Sequence, residues 1–469
     1  MTASIVVAGT HSGVGKTTVA TGLMAAFARR GRRLAGFKVG PDFIDPSYHA
    51  LATGRPGRNL DAFMSGPDLI APLFAHGASG ADLAIVEGVM GMFDGASGSG
   101  ELASTAQVAK LLHAPVLLVV DASAMARSVA ALVHGFVSFD PEVTVAGVIL
   151  NRVGSDRHEA LLREALQPSG LPVLGVLRRR AALATPERHL GLVPAAERRM
   201  DAAHTVAELG AALAEACDLQ AIESVASAAA SPAVTPWDPA AIGPQVAGDI
   251  GPVRLGVASG PAFSFLYQEN LELLEAAGAE LVPLDPTEDG GVPERISGLY
   301  LGGGFPETHT EALSANRPLR EAVREFAASG APVIAECGGL LYLTRSLDGH
   351  PMCGVLEADG RMTGRLTLGY RRAAATAASS LADIGALARG HEFHYSEVEP
   401  AAGGWGSRTG AAWLLDGDRR EGFVAGGVHA SYLHTHWAAF PEMALHLVAA
   451  ARRHAAEARG IRSGSHGAG

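Results

Sequence analysis

Short, continuously apolar runs alternate along this chain with segments of helical periodicity, and that alternation restricts the fold more than any other feature. In the first half the runs are "SIVVAG", "RLAGFKV", "DLAIVEG", "APVLLVVDA", "VTVAGVILN" and "LPVLGVL". A strand with one wet face alternates apolar and polar residues. A run that is apolar throughout is buried on both faces, as in a parallel sheet covered by helices on each side. A second series, "VRLGVAS", "AELVPL", "GLYLGGG" and "APVIAECGG", is interleaved with the helical patterns "NLELLEAAG" and "RPLREAVREFAASG". Between the two series lies "SVASAAASPAVTPWDPAAIGPQVAGDIGP", rich in Ala, Ser, Pro and Gly and without a long periodic apolar face. The expected organisation is therefore an α/β domain over 1–217, a linker over 218–252, a second α/β domain over 253–450 and a C-terminal tail over 451–469, with "GIRSGSHGAG" frayed. A chain of 469 residues is long enough for two such cores.

Composition narrows the partners. Hydrophobic residues at 48% and charged residues at 18% are ordinary for a globular protein. Lys and Arg number 37 against 48 Asp and Glu, a formal charge of −11, so nucleic acid is not an expected partner. The 3 cysteines, Cys217, Cys337 and Cys353, have no CxxC spacing, which argues against a disulfide framework or structural zinc and suits a reducing compartment. "MTASIVVAGT" has no basic region ahead of its apolar stretch, and "APVLLVV" is too short for a bilayer and ends at Asp121. A cytoplasmic protein with no membrane partner is expected.

"GTHSGVGKTT" sets glycines and Lys-Thr-Thr between a strand and a helix, where backbone N–H groups cradle phosphate oxygens. The strict GxxxxGK[ST] spacing is missed by one position, since Thr10 stands five before Gly15 and Gly9 one further back. The expected ATP-binding residues are Gly13, Gly15, Lys16, Thr17 and Thr18, with Lys16 on the terminal phosphates and the Thr17 hydroxyl on Mg2+. The loop resembles the "GTDTxVGKT" type of dethiobiotin synthetase; His11 holds the place of the extra lysine of ParA/MinD-type loops. After the second run, "GFKVGPDFIDPSYHALATGRPGRNLDAFM" gathers Lys38, Asp42, Asp45, Arg55, Arg58 and Asp61 at the carboxyl end of a parallel strand, where ligands bind in such sheets. "ADLAIVEGVMGMFDG" ends its strand on Glu87 and carries Asp94 in a glycine loop. Two carboxylates beside a triphosphate call for a cation. The stretch therefore reads as the metal-and-substrate lip of the ATP site. Asn151, ending "GVILN", is placed to read the adenine edge.

"APVIAECGGLLYL" puts Cys337 between an apolar run and a helix, where the helix dipole favours thiolate. A-E-C-G-G resembles the GxCxG elbow of class I glutamine amidotransferases. Upstream, "GLYLGGGFPE" offers the Gly303 and Gly304 N–H groups as an oxyanion hole. "ASYLHTHW" supplies the base, His434 or alternatively His436. Class I enzymes carry His-x-Glu; here His436 occupies the position of the carboxylate. That departure, and the likeness of "SYLHTH" to a "TYLHG" pattern, favours His434.

Together "GTHSGVGKTTV", "FKVGPDFIDPSYH", "GRPGRNLDAFM", "VEGVMGMFDG", "LGGGFPE", "AECGGLLYL", "GHEFHYS" and "ASYLHTHW" resemble the glutamine-hydrolysing corrinoid amide synthases, in particular those that amidate the a and c carboxylates of cobyrinic or hydrogenobyrinic acid. The likeness covers nearly the whole chain. It implies an N-terminal P-loop domain of dethiobiotin-synthetase type and a C-terminal class I amidotransferase domain. ATP and Mg2+ would serve the first, glutamine the second, with a tetrapyrrole polycarboxylate as the acceptor. It also implies acyl-phosphate intermediates, a glutamyl thioester on Cys337 and a sheltered route for ammonia. Lys16 and Lys38 would neutralise phosphate, Thr17, Asp45 and Glu87 would hold Mg2+ with Asp61 as an alternative ligand, and Asp42 and Asp94 would meet the substrate. His391 and His394 of "GHEFHYS" would shape the boundary between domains. A homodimer is compatible with this organisation. Cobyric acid synthases use the same parts, but "GPDFIDPSYH" argues against them, whereas nickel-sirohydrochlorin a,c-diamide synthases share these motifs. A regulatory ATPase with an inactive glutaminase fold is the non-enzymatic alternative; joint retention of Cys337, His434 and the glycine loop argues against it.

Overall fold

The computed structural model describes residues 2–179, 187–188, 191–192, 199–229, 232–242, 252–403 and 410–464. The chain divides into two compact units, Met1–Trp237 and Asp238–Gly469. No helix among the described residues is long and apolar enough to cross a membrane.

Seven strands build the main sheet of the first unit: β1 (Ala3–Gly9), β2 (Leu34–Val39), β3 (Arg58–Leu60), β4 (Leu83–Glu87), β5 (Val116–Asp121), β6 (Val145–Val153) and β7 (Val173–Arg178). Their order is β3-β2-β4-β1-β5-β6-β7 and every pairing is parallel. The six expected apolar runs are strands of this sheet; β3, three residues inside the charged segment, is the addition. β1 lies at the centre with Ile5 to Ala8 fully buried, as its unbroken hydrophobicity requires. Parallel register carries all the strand ends to one edge. Lys38 and Val7 both pair with Glu87, and Asp121 pairs with Asn151. The helix Lys16–Arg29 covers the sheet with Val19, Ala20, Leu23, Met24 and Phe27, the spacing of one helical face.

The segment read as a linker from 218 begins instead with a helix of the first unit, Leu219–Ala228, capped by Asp218, whose carboxylate accepts the Ala221 N–H at 3.0 Å. Leu219, Ile222 and Ala226 form its buried stripe, too short a pattern to stand out among the surrounding Ala and Ser. Beyond it the Trp237 N–H donates to the Pro72 carbonyl at 2.9 Å, and its ring meets His76 edge-on at 5.1 Å. Residues 230–231 and 243–251 of the expected linker lie outside the described residues.

The second unit has a six-stranded sheet in the order Ala279–Leu284, Val253–Ala258, Ile296–Leu301, Val333–Glu336, Val428–Ser431, Phe423–Ala425. All pairings but the last are parallel. Beside it, the long strands Asp359–Ala375 and Leu387–Glu399 pair antiparallel, and the short strand His434–Thr435 adds to the second of them. This second sheet has no counterpart in the sequence expectation. The helix Glu442–Gly464 continues through most of the segment expected as a tail, and residues 465–469 lie outside the described ones.

Candidate functional site

The strand ends of the first unit assemble a cluster of buried charges around the loop after β1. The helix Lys16–Arg29 starts from Gly15, whose φ of 99° belongs to the left-handed region. A Cβ there would lie 2.3 Å from Asn151 Nδ2, so only glycine admits that amide. Lys16 Nζ donates to the His11 carbonyl at 3.1 Å and to the Met90 carbonyl. Burial, helped by the charge of Lys38, lowers the Lys16 ammonium to about 8. Thr17 Oγ1 donates to Glu87 Oε1 at 2.5 Å and lies 3.4 Å from Asp45 Oδ2. Lys38 Nζ bridges Asp45 Oδ2 at 2.6 Å and Glu87 Oε1 at 2.9 Å, and donates to the Gly88 carbonyl at 3.0 Å. His49 Nε2 lies 2.8 Å from Glu87 Oε2. Burial opposes the charge on Lys38, but Asp45 and Glu87 outweigh it and raise its pKa. Burial also works against Glu87, yet Lys38, His49 and Thr17 hold it well below the usual carboxylate range. Asp45, raised by burial and then by Glu87, takes the proton more readily.

Thr17, Asp45 and Glu87 thus converge as hard oxygen donors. Among the described residues no three His, Cys, Asp or Glu side chains form a metal cage. A hydroxyl and two carboxylates fit Mg2+, which takes one or two carboxylates and completes its shell with phosphate and water. Thr18 follows, half-buried, on the same helical turn.

Other expected members serve the loops around this cluster. Asp42 accepts the Ile44 and Asp45 N–H groups at 3.0 and 3.3 Å, capping the helix that carries Asp45. Asp94 accepts the Gly91 N–H at 2.9 Å, closing the turn of the lip. Asp61 differs from the expectation of a metal ligand: its Oδ1 accepts the Phe63 and Met64 N–H groups, both at 2.9 Å, so it holds a turn. Arg55 likewise binds the Gly77 and Ser79 carbonyls at 3.0 and 2.9 Å rather than facing the cluster. The amide expected to read adenine is also engaged: Asn151 Nδ2 donates to the Val14 carbonyl at 2.8 Å and clamps the phosphate loop from β6.

In the second unit Cys337 ends the strand Val333–Glu336 with φ 47° and ψ −97°, a turn that aims the side chain away from the strand it leaves. Its N–H donates to the Ser431 carbonyl at 2.8 Å, and Sγ lies 4.0 Å from the Phe393 carbonyl. The helix start, expected to favour thiolate, is opposed here by burial. Burial, and then the Glu307 charge, push the thiol up against the single helpful N–H of Gly338.

The glycine loop separates its members. The Gly303 N–H donates to the Phe265 carbonyl at 3.1 Å, and the Phe265 N–H returns to the Gly303 carbonyl at 3.0 Å. Gly303 is therefore no oxyanion donor. Gly304 N sits 2.9 Å from where a Gly338 Cβ would be, which brings the Gly304 backbone close to the residue that follows Cys337.

The two histidines face different surroundings. His434 pairs with His391 in the sheet, and its ring points its Cε1 edge at Gly303, where a Cβ would be 2.4 Å from Cε1 and 3.3 Å from each ring nitrogen. Burial first, then His391 and His394, lower it to about 3, so the imidazole rests neutral. His436 Nε2 instead lies 3.4 Å from Glu269 Oε2, and its ring is 4.9 Å from that of Tyr267. His391 and His394 pack within this unit: His391 meets Tyr370 edge-on at 5.8 Å, and His394 stacks on Tyr432 at 3.7 Å. Between them Glu392 is bound by Arg371 Nε at 2.6 Å and by Arg419. Despite burial, His394 and those guanidinium groups hold it at about 2. Sequence reasoning missed His49, Glu336 and Glu392 as parts of these sites. All three lie inside the quoted motifs "PSYH", "AECGG" and "GHEFHYS", and that placement was the available signal.

Comparison with known proteins agrees with both halves. Residues 5–193 match the CobQ/CobB/MinD/ParA nucleotide binding domain family, and residues 254–442 the CobB/CobQ-like glutamine amidotransferase domain family. The chain is 57% identical to the hydrogenobyrinate a,c-diamide synthase of Streptomyces coelicolor, across 95% of this chain and 96% of that one. It is 50% identical to the enzyme of that name from Mycobacterium bovis, across 95% and 97%. It is 44% identical to the cobyrinate a,c-diamide synthase of Gloeobacter violaceus, across 92% and 94%. With such identity over nearly its full length, the chain belongs to the family of hydrogenobyrinate and cobyrinate a,c-diamide synthases.

Proposed function

We propose that this enzyme uses ATP and glutamine to convert the a and c carboxylates of a corrinoid, hydrogenobyrinate in preference to cobyrinate, into amides. The preference rests on identity: relatives named for hydrogenobyrinate stand at 49–57%, those named for cobyrinate at 41–45%. The observation that carries the reading is the pairing, in one chain, of the Lys16–Lys38–Glu87 cluster with the Cys337 elbow and its neutral His434.

In the first unit Lys16 and Lys38 take the charge of the transferring phosphoryl group. Thr17, Asp45 and Glu87 would hold Mg2+, which would supply neutralisation of phosphate charge. The substrate carboxylate attacks the γ-phosphorus, ADP leaves and an acyl phosphate forms. In the second unit the resting Cys337 is a protonated thiol, so a thiolate arises only when His434 accepts its proton. The sulfur attacks the glutamine amide carbon, and the developing oxyanion meets the Gly304 and Gly338 N–H groups. His434 returns the proton to the departing nitrogen, leaving a glutamyl thioester that water hydrolyses to glutamate. Ammonia then attacks the acyl phosphate and releases phosphate.

The test is purified protein with MgATP, hydrogenobyrinate and either glutamine or ammonium, the products being weighed. Two successive carboxyl-to-amide conversions are expected. Cys337→Ala keeps the ammonium reaction and loses the glutamine reaction. Absence of ATP consumption with either macrocycle refutes the proposal.

A further inference from the structure

Nucleophile and base come from different strands of the second unit, and no carboxylate follows His434 at the position that would orient an imidazole in a Cys-His-Glu triad. The residues next to them are nevertheless joined. Glu336, immediately before Cys337, presents Oε1 to the Thr435 N–H at 3.2 Å and the Thr435 hydroxyl at 2.9 Å. Thr435 immediately follows His434. Glu336 Oε2 accepts the Tyr300 hydroxyl at 3.1 Å, and Tyr300 in turn accepts Asn270 Nδ2 at 3.2 Å. Asn270 closes the ring: Nδ2 donates to the Thr435 carbonyl at 2.9 Å, and Oδ1 accepts the Trp437 N–H at 2.8 Å. The Trp437 indole N–H donates to Thr435 Oγ1 at 2.9 Å.

All five residues are buried, none more than 4% exposed. Thr435 uses its N–H, carbonyl, hydroxyl proton and hydroxyl oxygen within this ring, so its position is fully determined. A buried network satisfied at every member holds one arrangement; one that has lost a member leaves several polar groups unpaired.

We infer that Glu336 is a positioning residue for glutamine hydrolysis, fixing the separation of Cys337 and His434 by tying their strands together through Thr435. The usual carboxylate acts on the imidazole itself; here the tether acts on the backbone one residue away. The inference rests on the proposed roles of Cys337 and His434. It predicts a loss in turnover rather than in glutamine binding, because the ring lies behind the two reacting groups.

The experiment compares Glu336→Ala, Glu336→Gln, Thr435→Val and Thr435→Ser in the full chain. Steady-state glutamine hydrolysis and ammonium-dependent amidation are measured on the same preparations. A misplacement near 1 Å lowers rate about 10²-fold, so Glu336→Ala is expected to lower kcat with glutamine by about that factor. KM for glutamine should stay within about twofold, with the ammonium reaction unchanged. Thr435→Val, which loses the hydroxyl and keeps the N–H, should fall roughly tenfold. Glu336→Gln retains an oxygen that accepts both Thr435 bonds, and Thr435→Ser retains the hydroxyl; both should recover to within a few-fold of the parent. If Glu336→Ala fails to fold, the Thr435→Val and Thr435→Ser pair decides the matter.

Parental kcat in Thr435→Val overturns the inference, as does a change in KM alone. An equal loss with glutamine and with ammonium also overturns it, because that pattern belongs to a purely structural residue. Cys337→Ala run alongside separates the two levels. If that variant still hydrolyses glutamine, the site reading itself fails. If it is inactive with glutamine while Thr435→Val is normal, only the tether fails.

Discussion

Replacing Gly303 by alanine tests the place given to His434. A Cβ there would sit 2.4 Å from Cε1 of the imidazole and 3.3 Å from each ring nitrogen. Carbon atoms in contact rest about 3.5–4.0 Å apart, so the ring has to retreat by roughly 1–1.5 Å. Little room exists for that: His434 is buried, His391 stands beside it on the paired strand, and Thr435 is anchored to Glu336. The backbone at 303 has no positive φ and keeps its bonds to Phe265, so alanine is tolerated there by the main chain. The loss is then traceable to the ring. A displacement of about 1 Å costs about 10²-fold in rate, or about 2.7 kcal/mol of barrier. The assay is glutamine hydrolysis, glutamine-dependent amidation and ammonium-dependent amidation on one preparation. The first two should fall together about 10²-fold, and the third should hold within about twofold. Full glutamine-dependent turnover in Gly303→Ala would refute the assignment of this ring as the base and turn attention to His436. A parallel loss with ammonium would show damage beyond the site.

Glu87→Gln removes the charge on which Lys38, His49 and Thr17 converge. Amidation with either nitrogen source should drop roughly 10²-fold or more while glutamine hydrolysis persists, and unaltered MgATP kinetics would contradict the metal role. Asn151→Ala removes the bond to the Val14 carbonyl, worth about 1 kcal/mol. KM for ATP should rise about fivefold with kcat nearly constant, and an unchanged KM would exclude the clamp. Burial raises Glu336 and Glu421 to about 7 each. Their folded values exceed the unfolded one, about 4.3. The unfolded chain therefore loses these protons first as pH rises, and stability falls between about pH 4 and 7 by about 3 kcal/mol per group. Chemical denaturation at pH 5 and pH 7 should show this slope, and Glu336→Gln or Glu421→Gln should flatten it; an identical slope in both variants counts against the burial effect.

The first sheet was readable because hydrophobicity is continuous wherever both faces are covered, and Gly-Lys-Thr at a strand end leaves few alternatives. β3 was not, because three residues, Arg58 to Leu60, carry no period. Asn151 falls at the expected sheet edge, but only coordinates reveal that its amide is engaged by Val14. The three glycines 302–304 are chemically identical in sequence; the bridge to Phe265 is what distinguishes Gly303 from Gly304. His434 and His436 lie two apart, so strand geometry alone does not rank them. The fold, not the spacing, sets Gly303 against one and Glu269 against the other. Glu336 was hidden for a different reason. Its partners lie 36 and 99 positions away, a separation that no local pattern reports. The strand Asp359–Ala375 mixes exposed arginines with half-buried residues and breaks register after Met362, which erases its alternation.

The backbone at Cys337, with φ 47°, lies where side-chain-bearing residues are held at a penalty of about 1–3 kcal/mol. Glycine would relax there. A lineage growing in abundant ammonium would thus find that discarding its sulfur makes the protein sturdier while amide formation continues. On the role proposed for Cys337, its backbone is a stability cost offset only by glutamine-dependent turnover, and Cys337→Gly should raise the melting temperature while abolishing that turnover.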